Sequence, residues 1–343
     1  MTGKGMRVGH WVSAMFAVLA TIVMASVCSA AAESRSSVTR ANPSSAASGS
    51  LVLVTGITGT QGGGVARALL EKGYRVRGLT RDPEAAKAKV WAERGVQMVK
   101  GDFTDHASIE AALKGVDFLF INIVERVTDY LDAAKFTFDA AHRAGVKHIV
   151  LTTARLADPE SGFEANADRS KRGLELYLRS SGYSYTTLRI PQMMENFIRP
   201  ADMQRVLTQG VMSPGTGTTL NHFFSCYDMG LVTAAAFADP RKWNRREVNL
   251  SADPLTGQQV ASLLSRLSGL DIKYSVVPFD QPSGPANVNA RFYAEHDLSY
   301  DTVQLKKEFP EITTLEKFLR DEGYGEKLRS MVAQLPAGDA PVR

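Results

Sequence analysis

From Leu51 onward the chain alternates strand-sized apolar runs with longer stretches whose apolar positions recur every three or four residues. The runs near Leu51–Thr55, Arg75–Leu79, Val96–Val99, Asp117–Ile121, His148–Thr152 and Ser184–Leu188 read as strands. Stretches near Gly62–Lys72, Glu84–Arg94, His106–Lys114, Asp129–Ala144 and Ala167–Ser181 read as helices between them. Such alternation predicts the α/β class, a doubly wound parallel sheet with right-handed crossovers. Ligands in these sheets bind beyond the carboxyl ends of the strands, where the strand order reverses. After Pro191 the pattern loosens. Gly210–Gly217 reads as a turn-rich loop, Asp228–Ala238 as a helix and Glu247–Leu250 as a strand. A helix over Gln258–Ser268, a short strand at Ile272–Val277 and part of a terminal helix at Leu315–Arg320 follow. The domain division is thus 51–190 for the sheet and 191–335 for a smaller lobe.

The first fifty residues follow neither period. Lys4 and Arg7 precede an uncharged run from Trp11 to Val27, and Cys28-Ser-Ala30-Ala31-Ala32 follows it. A basic start, an apolar stretch and small residues at a cut site describe a secretory signal peptide over residues 1–32, cleaved after Ala30 or Ala32. The run is long for a signal and short for a membrane span, so an uncleaved anchor is the second reading. A third is an over-extended start, with initiation at a later methionine such as Met24 in the cytoplasm. Val27 is too large to precede a lipidated cysteine, which argues against a lipoprotein at Cys28. Residues 33–50, rich in Ser and Ala, read as a flexible linker. The expected location is therefore outside the cytoplasm, exported or anchored, with the leader as the expected membrane contact.

Composition narrows the class. Of 343 residues, 44% are hydrophobic and 22% charged, a globular balance with enough apolar mass for a core without staples. The formal net charge is +4, of which Lys4 and Arg7 supply two. No basic block with interleaved aromatics occurs, so the expected partner is a small-molecule substrate and not a nucleic acid. After leader cleavage only Cys226 remains, which rules out an intramolecular disulfide. It stands in His222-Phe-Phe-Ser-Cys226, a strand-like stretch where a single cysteine packs in the core. His222 and His296 have no metal-ligating partners at suitable spacing, and no metal is expected.

The chemistry begins at Leu51-Val-Leu-Val-Thr-Gly56-Ile-Thr58-Gly59-Thr60-Gln61-Gly62, with helical spacing from Val65 onward. An apolar strand entering a glycine turn that opens a helix lets backbone N–H groups face a pyrophosphate with no Cβ in the way. The implied cofactor is a dinucleotide. An acid at the end of the second strand would hold the ribose 2′-OH of NAD, but the chain reads Gly78-Leu-Thr80-Arg81 there. A guanidinium suits a 2′-phosphate, so NADP(H) is expected over NAD(H); a solvated surface arginine is the other reading of Arg81. Asp82, before Pro83, is assigned to capping the next helix. Asn122 ends the fourth strand, at the height of the cofactor's ribose.

The glycine spacing, Val76-Arg-Gly-Leu-Thr-Arg81-Asp-Pro83, Gly101-Asp102-Phe103-Thr-Asp105 and Leu188-Arg-Ile-Pro191 together resemble the NmrA-like family. That family is an atypical branch of the short-chain dehydrogenase/reductase superfamily, with an NAD(P)-binding Rossmann fold. The resemblance runs from about Leu51 to Leu335. It implies that Asp102 and Phe103 flank the adenine, although a turn role suits Asp102 as well. It implies that Lys171 organises the nicotinamide ribose as the catalytic candidate, a surface lysine being the other reading. It also implies that the smaller lobe closes over the cofactor. Gln192, Met193, Met194, Glu195, Asn196 and Phe197 would then line the nicotinamide end. Some relatives carry a cofactor-facing lysine near Lys135, which here reads as an exposed helix lysine.

Short-chain dehydrogenases place a tyrosine acid/base four residues before that lysine. Counting back from Lys171 gives Ala167, so the tyrosine is missing. Thr152 or Thr153, at the end of the fifth strand, is a candidate to polarise a substrate carbonyl. Two function classes follow from the resemblance. One is an NADPH-dependent reductase of a small carbonyl or conjugated substrate working through Lys171. The other is a non-catalytic NADP(H) redox sensor, which Ala167 favours and an exported leader disfavours.

Overall fold

A computed structural model describes residues 49–123, 129–160, 166–214, 217–277 and 300–334, which belong to one compact unit, Ser44–Arg343. The leader, nearly all of the linker and His296 lie outside the described residues. Among the described residues no helix is long and apolar enough to cross a membrane.

In chain order the strands are β1 Leu51–Val54, β2 Arg75–Thr80, β3 Gln97–Lys100, β4 Phe118–Ile121, β5 His148–Ala154 and β6 Tyr185–Ile190. Then come β7 Gln192–Met193, β8 Val211–Pro214, β9 Leu220–Phe224, β10 Arg246–Asn249, β11 Asp253–Thr256 and β12 Tyr274–Val277. The main sheet runs β10-β6-β5-β4-β1-β2-β3, and every pairing in it is parallel. The chain winds outward from β1 through β2 and β3, then re-enters beside β1 as β4. The switch point therefore lies between β1 and β4, the place where such sheets bind ligands.

The central strands β1 and β4 are apolar and buried throughout because helices cover both faces there, while the edge strands β3 and β10 carry polar residues. Leu51 and Leu53 enter one core while Val52 and Val54 enter the other, as a strand's period of two requires. Helices His106–Leu113, Tyr130–Arg143 and Asn166–Ser180 close the first core; Thr60–Glu71 and Cys226–Ala238 close the second. These last two helices touch through glycine. A Cβ on Gly64 would lie 2.5 Å from the Cys226 Cβ, and one on Gly230 would lie 2.6 Å from the Ala68 Cβ. Buried carboxylates tie down the C-terminal segment. Asp228 accepts from the Thr313 N–H at 3.0 Å and Asp253 from the Leu315 N–H at 3.1 Å, and burial pushes both carboxyls up.

Several elements differ from the sequence expectation, each for a local or topological reason. The helix expected from Glu84 starts at Ala86, because the Asp82 carboxylate accepts the Glu84 N–H at 2.9 Å and closes a turn ahead of it instead of capping it. Cys226 does not continue a strand. Ser225 caps a helix there, accepting from the Asp228 N–H at 3.0 Å, and Cys226 is that helix's first, buried residue. The Gly210–Gly217 stretch contains β8, which pairs in parallel with β12. The structure adds a helix over Pro200–Gln209, which buries Met203 and Leu207 one turn apart, and a small sheet β11-β9-β7. The strands of that sheet pair across distant stretches of the chain, so no local periodicity announces it.

Candidate functional site

Thr55 follows β1 and clamps the switch point. Its hydroxyl donates to the Asn122 carbonyl at 3.0 Å and accepts from the Asn122 N–H at 2.9 Å, joining the ends of β1 and β4. Gly56 then turns with φ of 64°, the left-handed region that glycine enters without a steric penalty. The Gly59 N–H donates back to the Gly56 carbonyl at 2.9 Å, and the helix begins at Thr60. A Cβ on Gly62 would sit 2.4 Å from the Gly56 oxygen, so helix and turn are in backbone contact.

The start of that helix is left uncapped. Gly59 as N-cap offers no side chain to the first-turn N–H groups, and that turn holds no acid. The helices starting at Cys226 and Gly257, by contrast, are capped by Ser225 and Thr256. Gly59 and Thr60 are exposed and Thr58 is half-buried, so the uncapped end of the helix is open to solvent, an arrangement able to accept an anion. The Gln61 side chain turns inward and accepts the Thr152 hydroxyl at 3.2 Å.

At the neighbouring strand ends, Arg81 is exposed just past β2, and no acid occupies the strand's last residue, Thr80. Asp102 makes the turn after β3: its Oδ1 accepts from the Thr104 N–H at 2.9 Å and from the Thr104 hydroxyl at 2.8 Å. Those bonds, helped by the Arg81 charge, hold its carboxyl below the usual range. Phe103 is half-buried against the core next to it. Asn122 lies across from Gly56, where a Cβ would meet its amide at 3.6 Å.

On the other side of the switch point stands Lys171, half-buried on the helix Asn166–Ser180. One turn further along the same face, Glu175 is buried and accepts the Thr153 hydroxyl at 2.6 Å. The i,i+4 relation therefore puts Lys171 on the sheet-facing side, beyond the end of β5. Thr153 is committed to Glu175 and Thr152 to Gln61, so neither hydroxyl is presented to a substrate. Lys135 pairs with Asp132 at 3.7 Å and lies over the Tyr177 ring, the surface role.

A cavity of about 650 Å³ opens beside the ends of β5 and β6. Ala154, Ile190, Gln192, Asn196, Phe197 and His222 are on its wall. Met194 is not: it opens the short helical turn Met194–Asn196 fully buried in the core, and Met193, which ends β7, packs partly buried against that core. Glu195 turns another way. Its Oε1 accepts the Cys226 N–H at 2.8 Å, its Oε2 is buried without a partner among the described residues, and burial pushes the carboxyl up.

Two features escape the sequence reading. At one side of the cavity Asp202 holds both Arg199, at 2.6 Å, and Arg205, at 2.8 Å, leaving one net positive charge. Behind the cavity lies a buried ionic cluster. Arg189 on β6 pairs with Glu175 at 2.6 Å, Glu247 at 2.5 Å and Asp158 at 3.0 Å, while Arg155 also holds Asp158 and Arg179 also holds Glu247. The signal for it is present: an arginine inside the apolar run Tyr185–Ile190 of a strand covered on both faces has to find partners.

Similarity to known proteins agrees with this geometry. An NAD(P)H azoreductase of Xenophilus azovorans is 30% identical over 231 residues, spanning 67% of this chain and 78% of that protein. Among solved structures, NmrA, a negative transcriptional regulator crystallised with NADP, superposes with a TM-score of 0.67 at 19% identity over 82% of this chain and 98% of its own. A Citrobacter sp. triphenylmethane reductase complexed with NADP(H) gives 0.65 at 23% identity over 79% and 99%. At those identities the structures speak for the fold alone. The model of the NmrA-like family matches residues 48–319, the stretch that holds the glycine turn, the main sheet and the cavity, and the chain belongs to that family.

Proposed function

We propose that the chain is an NADP(H)-dependent reductase acting on a small carbonyl or conjugated substrate in the cavity beside β5 and β6. The observation that carries this reading is the uncapped helix start behind Gly56–Gly62, at the same sheet edge as the 650 Å³ cavity. A relative named for azo reduction supports it. NADP(H), when bound, supplies the hydride. Gly56, Thr58, Gly59, Thr60, Gln61 and Gly62 would form the pyrophosphate cradle and Asn122 would border the ribose. Asp102 and Phe103 would flank the adenine, and Asn196 the nicotinamide end. Lys171 orients the nicotinamide ribose and relays a proton through water in place of the missing tyrosine.

Arg81 sets the cofactor preference in this reading. Removing one charge-assisted contact to the 2′-phosphate costs about 1.5–3 kcal/mol, roughly 10- to 150-fold in affinity. Calorimetry is expected to show wild-type preference for NADPH, reduced by that factor in Arg81→Ala with NADH affinity unchanged. Equal wild-type affinities for the two cofactors would overturn the assignment.

Lys171→Ala is expected to retain NADPH binding and lose turnover roughly 100-fold, the scale of a general acid–base contribution. The assay follows NADPH oxidation with quinones, aldehydes, enones and azo dyes. Wild-type turnover in the variant would remove Lys171 from the chemistry. If no acceptor consumes NADPH, yet NADP⁺ and NADPH give different proteolysis patterns, the sensor reading replaces the enzyme.

A further inference from the structure

His222 is the second feature of the cavity with chemistry of its own. It sits on β9 and lines the wall together with Tyr300, whose ring stacks on it at 3.6 Å between centroids and 12° between planes. Its Nδ1 lies 2.8 Å from the hydroxyl of Ser251, which is fully buried. Among the described residues that imidazole nitrogen is the only hydrogen-bond partner of the Ser251 side chain.

The arrangement determines the tautomer. A buried hydroxyl with one available acceptor donates to it, since keeping the proton unbonded costs the full desolvation penalty. Nδ1 is then the acceptor, and a neutral imidazole carries its single proton on Nε2. Burial pushes the His222 pKa down to about 4, which keeps the ring neutral near pH 7. Nε2 makes no hydrogen bond among the described residues, and Nδ1 is turned into the fold, so the N–H edge is what the ring offers the cavity.

Building on the reductase reading, we infer that His222 donates a hydrogen bond from Nε2 to the substrate, and that the cavity selects flat apolar molecules bearing an acceptor oxygen or nitrogen. Phe197, Phe223 and Tyr300 supply the apolar and aromatic wall for such a molecule, and the Asp202-tied arginines add a positive rim. The role differs from that of the absent tyrosine, because a neutral imidazole polarises an acceptor without giving up its proton. His222 would touch the substrate and not the dinucleotide.

The test needs no turnover. Wild type and variants are loaded with NADP⁺ and titrated by calorimetry with a naphthoquinone and with naphthalene, which has the same ring shape and no acceptor. Wild type is expected to prefer the quinone roughly 10- to 100-fold, the scale of a hydrogen bond whose loss leaves a polar group unpaired. His222→Phe keeps the stack on Tyr300 and is expected to lose that preference, while His222→Gln, with an amide N–H near the Nε2 position, restores most of it. NADP⁺ affinity should be the same in all three. Nitrogen-15 spectra of the wild type should show the Nε2–H tautomer, and Ser251→Ala should mix the tautomers. An Nδ1–H tautomer in the wild type, or an undiminished quinone preference in His222→Phe, would overturn the inference. Failure of every acceptor to oxidise NADPH would instead count against the reductase reading and leave these binding results to decide the role of His222.

Discussion

Gly62→Ala is expected to weaken NADPH binding roughly 100-fold, the scale of a misplacement near 1 Å in a positioned site. Its added Cβ would stand 2.4 Å from the Gly56 oxygen, 2.5 Å from the Gly56 carbonyl carbon and 2.8 Å from the Ile57 nitrogen. All three are backbone atoms, so no side-chain rotation relieves the contact. The helix has to back away from the turn, carrying the first-turn N–H groups with it. The fold itself should survive, since overpacking of this kind costs about 1–3 kcal/mol. Gly182→Ala is the control: a Cβ there meets nothing within 4 Å. Equilibrium binding and denaturant melts on both variants check the split between affinity and stability. Wild-type NADPH affinity in Gly62→Ala would show that the turn does not hold the pyrophosphate.

That this glycine can be singled out from sequence reflects how local its chemistry is. A strand, a turn and a helix start occupy one continuous stretch, Leu51–Glu71, and each part constrains the next. The strand order is legible for a similar reason, because parallel strands covered on both faces read as unbroken apolar runs such as Phe118–Ile121. The cavity wall is less legible. Met193 and Met194 lie between Gln192 and Asn196 in sequence, yet the step from β7 into a three-residue helical turn directs the methionines toward the core and leaves the polar pair on the wall. His222 looks isolated because its partners, Ser251 and Tyr300, lie well downstream, and only the pairing of β9 with β11 brings Ser251 near. Thr153 reads as a strand-end hydroxyl open to substrate, but Glu175 on the helix Asn166–Ser180 is buried against it and takes its hydrogen bond.

Glu175 belongs to the ionic cluster on which the second large effect is expected. Arg189→Leu should destabilise the fold by about 3–5 kcal/mol, the range for removing one partner from a buried ion pair. Arg189 and Glu175 are nearly fully buried, and Glu247 and Asp158 are largely so. Burial pushes the Glu175 carboxyl up against the pull of Arg189. Burial also acts on Glu247, but there Arg179 and Arg189 prevail and hold the carboxyl below its usual range. Leucine would leave Glu175 with a hydroxyl as its remaining partner and halve the charge compensation of Glu247. The surface pair of Arg320 with Glu316 is the contrast, since an exposed i,i+4 pair contributes little to stability. Denaturant unfolding of Arg189→Leu beside Arg320→Ala checks the difference in midpoint. A loss in Arg189→Leu no larger than in Arg320→Ala would mean that the cluster relaxes or hydrates. The helix bearing Lys171 would then be held to the sheet by its apolar face, through Leu174 and Leu178, and not by charge.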